Sequence, residues 1–328
     1  MPFRIKLTLV LLLSLLTLLL VAPLFTPVRP LPDTVTETAL ADPDSRFIRV
    51  NDLNVHYKTS SLSSPEEPAF VLLHGFGAST YSWSRVLDEF GTLGRTVAFD
   101  RPAFGLTERP LEWTGENPYS FQAQVNLSVG LMNELDIGRA VLVGNSAGAA
   151  VAVGVARDHP ERVAGLILID AAIYAQRSGL ATLLNRTPQM NRVGPLLMRQ
   201  MSGEPGLEVL RSAWSDPEKL DEATVEAYRT PLQANDWDKA LWEASRAQTP
   251  RLEPVLPTLN MPALVITGQD DTIIPPEQSE RLANDLPNAT FAAFESCGHV
   301  PQEECPAPLM DVVRTWLIDE GLVGGEPK

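Results

Sequence analysis

Cysteine, histidine and basic residues are all scarce in this chain. Its two cysteines, Cys297 and Cys305, are too few for a disulfide framework, and one bridge between them would need an oxidising compartment. The four histidines, His56, His74, His159 and His299, form no Cys/His cluster at metal-ligand spacing. That argues against a zinc hydrolase, and no metal or organic cofactor is implied. Only 26 Lys and Arg oppose 41 Asp and Glu, for a formal net charge of −15, and no basic stripe breaks the acidic balance. Such a surface repels nucleic-acid phosphates and favours solubility. Aromatic residues make up 7% and apolar residues 44% of the 328, enough for a globular core but silent on one domain or two.

One long hydrophobic run is present, in "MPFRIKLTLVLLLSLLTLLLVAPLF" (1–25). Arg4 and Lys6 precede apolar residues 7–22, broken by Thr8, Ser14 and Thr17, which is the order of charge and apolarity in an export signal. No small-x-small cleavage site follows at the usual distance, since Ala39-Leu40-Ala41 lies well downstream. Residues 7–25 also reach about the length needed to span a bilayer. The expectation is export or anchoring at a membrane, with cleavage left open. Residues 26–45, rich in Pro, Thr and Asp, read as a linker. Residues 47–60 read as a hairpin around an Asn-Asp turn, and residues 61–68 as a polar turn.

Beyond residue 68 short apolar runs alternate with helical segments. The runs at 69–75, 96–100, 140–144, 165–170, 263–267 and 290–294 are nearly continuous, as in a parallel sheet covered on both faces. Between and after them, residues 81–90, 121–135, 147–159, 276–285 and 307–320 predict helices. The alternation implies an α/β fold with a doubly wound, mostly parallel sheet. Residues 172–257 break the rhythm with helical pieces only, so they read as a helical cap inserted into a core of residues 46–171 and 258–328.

"LVGNSAGAA" (142–150) places Ser146 between Gly144 and Gly148, after an apolar strand and before a small-residue helix. A serine hydroxyl is a weak nucleophile that must be presented on a tight turn, and side chains at the two glycines would strike the neighbouring strand and helix. A base is needed next. His56 lies in the hairpin, His74 closes a buried strand and His159 precedes a proline at a helix end, which leaves His299 on the loop "ESCGHVPQEECP". That loop follows the last strand, where a parallel sheet gathers its reactive groups. The acid that orients the imidazole comes from "VITGQDDTIIP" as Asp270 or Asp271, with Asp170 at the end of "GLILID" as an alternative. Backbone N–H groups of Ala147 and of Phe76, in "LLHGFGAS", are placed to receive an oxyanion.

Together "HGFG", "AFDRPAFGLTERP", "GNSAG", "GQDDTIIP" and "CGHVPQEECP", in this order across residues 47–320, resemble the α/β-hydrolase superfamily. The resemblance implies Asp271, framed by Gly268 and Pro275, as the acid in a Ser-Asp-His chain order. It departs at Ala103, where glycine is common. A serine nucleophile argues against the family's epoxide and haloalkane chemistry. It leaves carboxylesterases, lipases, carbon–carbon bond hydrolases and cofactor-free perhydrolases. The expectation is hydrolysis of a small, apolar carboxylic ester through Ser146, His299 and Asp271, with Phe76 and Ala147 as the oxyanion hole. A non-catalytic, ligand-binding hydrolase fold is the rival of another class. Arg101 and Arg109 are open to a substrate carboxylate or to structural ion pairs, and Trp83 reads as core. Met190, Leu196, Leu197, Met198, Met201 and Trp214 suggest an apolar pocket under the cap.

Overall fold

In the computed structural model, residues 3–62, 68–174 and 183–324 are described. Ser63 to Glu67 of the polar turn, residues 175–182 of the insertion, and residues 1, 2 and 325–328 lie outside them. Strands β1 (Arg46–Val50) and β2 (Leu53–Thr59) form the expected antiparallel hairpin. Asn51 and Asp52 turn it with φ of 47° and 63°, the left-handed pair that a two-residue turn requires. β3 (Ala69–Leu73), β4 (Arg95–Phe99), β5 (Ala140–Asn145), β6 (Val163–Ile169), β7 (Ala263–Gly268) and β8 (Ala289–Phe294) complete one eight-stranded sheet. The spatial order is β1-β2-β4-β3-β5-β6-β7-β8, antiparallel at β1–β2 and β2–β4 and parallel elsewhere.

Because β3, β5 and β7 are buried along their whole length, apolar residues on alternate sides feed two layers. Val71, Leu73 and Leu142 pack with helices α3 (Phe121–Glu134), α4 (Ala147–Asp158) and α9 (Pro276–Asp285). Phe70, Leu72 and Val143 pack with Trp83, with α2 (Leu87–Gly91) and with α11 (Pro306–Asp319), which a short α10 (Pro301–Glu304) precedes. The chain moves from β3 to β4 on one side and to β5 on the other, so the strand order reverses at the carboxyl ends of β3 and β5. A crevice forms at such a reversal.

Two sequence expectations change. Residues 81–90 are not one helix but a 3-10 turn, Thr80–Trp83, followed by the short α2. Ser and Thr are weak helix formers, and the Thr80 amide donates to Asp100 while the Ser82 hydroxyl donates to Glu303, holding the segment as a turn. β8 is an edge strand with one neighbour and several exposed residues, so cover on both faces fails there.

Between β6 and β7 lie α5 (Pro188–Met201), α6 (Glu204–Ser212), α7 (Glu222–Arg229) and α8 (Trp237–Arg246). The N-terminal helix α1 (Phe3–Val21) begins Phe3–Phe25, a stretch long and apolar enough to cross a membrane. Residues 26–45, read as a linker, pack against the helices between β6 and β7. Val35 pairs with the insertion through Val35 N–H to Gln233 O (3.0 Å) and Asn235 N–H to Val35 O (2.8 Å). Gln189, Arg192 and Arg199 of α5 donate to the carbonyls of Leu20, Thr26 and Arg29. Their polar side chains take up carbonyls that the last turn of α1 and the irregular chain after it leave unpaired.

Candidate active site

Ser146 occupies the turn from β5 into α4 with φ 54° and ψ −119°, a conformation L-residues rarely adopt. Its neighbours hold it there: the Ser146 N–H donates to Ile169 O (2.9 Å), and Ser146 O accepts from Ala172 N–H (3.1 Å). The turn is tight enough to require both glycines. A Cβ on Gly144 would lie 2.5 Å from the Ala149 backbone, and one on Gly148 would lie 2.1 Å from Leu73 O on β3.

His299 sits after β8, and three elements fix its loop. Its N–H donates to Ala213 O of the insertion (2.7 Å), its carbonyl accepts from Asn145 Nδ2 (3.0 Å), and the Gly298 N–H donates to Glu304 Oε2 (2.7 Å). Cys297 and Cys305 form a disulfide that closes this loop. Asp271 follows β7. Its Oδ1 accepts the N–H groups of Ile273 (2.7 Å) and Ile274 (3.0 Å), and its Oδ2 lies 2.7 Å from His299 Nδ1. Asp270 is turned away and accepts the Ser215 hydroxyl at 2.6 Å. Asp170 lies behind the pair: its Oδ1 accepts from the Thr267 hydroxyl (2.7 Å) and the Gly268 N–H (3.1 Å). Burial, together with the Asp271 charge, pushes its carboxyl well above the usual range. Ligand atoms of Asp170, Asp271 and His299 fall within 4.8 Å of one another. Asp271 already spends its oxygens on two amides and an imidazole, the pattern of a hydrogen-bonded relay rather than of a cation site.

The Phe76 and Ala147 N–H groups have no acceptor among the described residues. Both flank Ser146: Phe76 follows β3 in a loop that lines the same cavity, and Ala147 opens α4, whose N-terminal dipole favours negative charge. Arg101 supports that loop from behind, donating to His74 O (2.8 Å), Gly75 O (3.0 Å) and Gln124 Oε1 (2.6 Å). Arg109 likewise serves the loop carbonyls of Gly105 and Pro231 and pairs with Glu37. Both arginines are therefore structural. His74, fully buried, accepts from the Arg101 N–H, and burial holds its pKa down at about 3, so it stays neutral.

A cavity of about 550 Å³ lies over Ser146 and His299. Met198 and Met201 of the insertion line it, as the sequence suggested, together with Leu207, Leu210 and Leu241. Met190, Leu196, Leu197 and Trp214 do not; Trp214 is buried beside Val300 with the Arg85 guanidinium over its ring. Trp83 is core. Sequence reasoning missed Asn145, Glu303 and Glu304. Glu304 accepts the N–H groups of Ser215 (2.9 Å), Asp216 (2.9 Å) and Gly298, tying the insertion to the His299 loop. Glu303 accepts the hydroxyls of Ser82 and Tyr228, each at 2.6 Å, and burial pushes its carboxyl up to about 7. The available signal was an acidic pair, "QEEC", in an otherwise apolar segment next to His299.

Residues 68–306 match the family model for the α/β hydrolase fold. A 2-hydroxy-6-oxononadienedioate/2-hydroxy-6-oxononatrienedioate hydrolase of Burkholderia vietnamiensis is 31% identical over 291 residues, covering 83% of this chain and 94% of that protein. Among solved structures, a thermophilic esterase from Thermogutta terrifontis superposes with a TM-score of 0.70 at 26% identity, over 84% of this chain and 98% of its own. A membrane phospholipase A, described as a novel bacterial virulence factor, gives 0.65 at 26% identity, over 97% of this chain and 98% of its own.

Proposed function

Because the chain belongs to the α/β hydrolase fold family, we propose that it cleaves small, largely apolar carboxylic esters with Ser146 as nucleophile. Ser146 Oγ attacks the ester carbonyl carbon while His299 Nε2 takes its proton. The negative oxygen of the tetrahedral intermediate accepts from the Phe76 and Ala147 amides. Asp271 holds Nδ1–H and stabilises the imidazolium, which gives its proton to the departing alkoxide and leaves an acyl-Ser146. Water, deprotonated by His299, then attacks the acyl carbon, and the proton returns to Ser146 as the acid departs. The observation that carries this reading is the 2.7 Å His299–Asp271 pair beside a strained Ser146 under one cavity. Its volume, about 550 Å³, is of the size that small-molecule sites occupy. The insertion acts as the cap of this pocket.

Carbon–carbon bond hydrolysis of a dienoic diketo acid on the same triad is the second reading, supported by the 31% identical hydrolase. One experiment separates the readings. Turnover of p-nitrophenyl esters from acetate to palmitate, lost in Ser146→Ala, supports the esterase, and the best chain length sizes the pocket. Labelling by a fluorophosphonate without ester turnover transfers the assignment to carbon–carbon substrates. Neither turnover nor labelling makes the chain a ligand-binding protein.

The chain is exported and held at a membrane by residues 3–25. Three observations support this: the apolar stretch Phe3–Phe25, a Cys297–Cys305 bridge that an oxidising compartment would preserve, and a likeness to a membrane phospholipase A that spans 97% of the chain. Full-length protein is expected to stay with membranes through an alkaline carbonate wash, and a chain lacking residues 1–25 to be soluble. Release of the full-length chain by the wash overturns anchoring.

A further inference from the structure

Asp170 is fully buried, and the Ser146–His299–Asp271 reaction does not use it. The residue ends β6 in a left-handed conformation, φ 44°, with its N–H donating to Ile266 O (2.9 Å). The backbone is thus held in a rarely populated state at this position, which turns the carboxyl inward under Asp271. Thr267 and Gly268 donate to Oδ1, whereas Oδ2 is buried with, among the described residues, no N–H or hydroxyl donor aimed at it. Among the described residues, the titratable groups facing it are Asp271, on the loop after β7, and His299, on the loop after β8.

Two carboxylates this close cannot both stay ionised away from water without a large penalty. The donors decide which of them keeps a proton. Asp271 receives two amides and the imidazole N–H, all of which favour its anion. Asp170 has an oxygen with nothing to accept and a carboxylate within hydrogen-bond reach. We propose that Asp170 is a neutral carboxylic acid that donates its O–H to the Asp271 carboxylate, a positioning residue acting on His299 through Asp271. The proposal rests on the Ser146–His299–Asp271 reading. A neutral Asp170 pins the orientation of Asp271 without adding a second negative charge near His299. An ionised Asp170 would favour the imidazolium, leaving less of the free base that must accept the Ser146 proton.

The test is the pH dependence of Ser146 labelling by a fluorophosphonate, with kcat and KM on p-nitrophenyl acetate alongside, for the full chain in detergent. Asp170→Asn keeps the shape, can accept from Thr267 and can donate an N–H to Asp271. Its labelling is expected to keep the wild-type midpoint on the acidic limb, with kcat within about threefold of wild type. Asp170→Ala, with no donor, is expected to lose about tenfold in kcat at unchanged KM, again without moving the midpoint. A midpoint lowered by about one pH unit in Asp170→Asn would show that an anion had been removed, and overturns the proposal. Full kcat in Asp170→Ala overturns it as well. If either Asp170 variant fails to fold, Thr267→Val decides, because it leaves Asp170 in place and removes a donor that favours its anion. An unmoved midpoint supports the neutral acid, and a lowered one refutes it. Absence of labelling in the wild type at every pH is a different outcome, since it removes the triad reading itself.

Discussion

Ala103 sits in the loop after β4 with φ 79°, where an L-residue loses about 1–2 kcal/mol relative to ordinary backbone. The loop demands this because Asp100 gathers it, accepting from the N–H groups of Thr80 and Leu106 and from His56 Nδ1. Glycine would relieve the strain but would add about 0.5–1 kcal/mol of chain entropy to be lost on folding. It would also remove a methyl worth about 0.8 kcal/mol from the cluster with Phe104 and Tyr119. These terms nearly cancel, so Ala103→Gly is expected to shift stability by less than about 0.5 kcal/mol, read from urea midpoints at constant m. Gly148→Ala is the opposite case. Its Cβ would meet a backbone oxygen at 2.1 Å, and neither α4 nor β3 can yield cheaply. A loss of about 3 kcal/mol or more is expected, together with loss of fluorophosphonate labelling. Ser146 and its glycines were legible because this clash is local to strand, turn and helix. The choice between Asp270 and Asp271 required the family pattern, because adjacent carboxylates in a turn look alike until their partners are in place.

At the scale of elements, the loop between β8 and α11 is held twice. Cys297–Cys305 closes it covalently, and Glu304 pins it to the insertion through the amides of Ser215 and Asp216 while accepting the Gly298 amide within the loop. Closing so short a loop contributes about 2–3 kcal/mol, chiefly by restricting the unfolded chain. Reduction is therefore expected to lower the Tm while leaving labelling at room temperature nearly intact, since the Glu304 contacts survive. Scanning calorimetry with and without a phosphine reductant checks this. Immediate loss of labelling on reduction would show that the disulfide, not Glu304, places His299. Strands were legible at this scale because four to six apolar residues in a row have few other places to go. Residues 81–90 misled because Trp83, Val86 and Phe90 suit either a helix or a turn, and only the distant partners Asp100 and Glu303 choose the turn.

For the whole molecule, Glu303 joins three parts of the chain: Ser82 after β3, Tyr228 on the insertion, and its own helix next to His299. Its pKa, near 4.5 when exposed, rises to about 7 in the fold because burial penalises the anion. The folded state therefore holds a proton that the unfolded chain has lost, and stability falls as pH rises from about 4.5 to 7, by on the order of 3 kcal/mol. His74 works in the other direction, since its pKa of about 3 makes the fold lose stability as pH drops below 6.5. The wild-type curve mixes the two slopes, but a difference between variants does not. Glu303→Gln mimics the protonated acid and is expected to gain on the wild type steadily between pH 4.5 and 7, then to hold a constant advantage. Paired urea melts at several pH values measure this, and parallel curves would show that Glu303 is ionised in the fold.

The sequence by itself determined the sheet, the helical stretch between β6 and β7, the tight strand-to-helix turn at Ser146 and the loop that bears His299. Each depends on short-range patterns: apolar runs, glycines at fixed offsets, and the order of motifs along the chain. Only the tertiary structure decided which side chains meet across long separations. It turned Asp270 away to the Ser215 hydroxyl and set Asp170 beside the Asp271–His299 pair. It assigned Arg101 and Arg109 to loop carbonyls and laid residues 26–45 along the insertion. The physical reason is the same for all of them. A charged or polar side chain takes the partner that burial leaves within reach, and that partner is set by how the layers pack, not by what lies next to it in the chain.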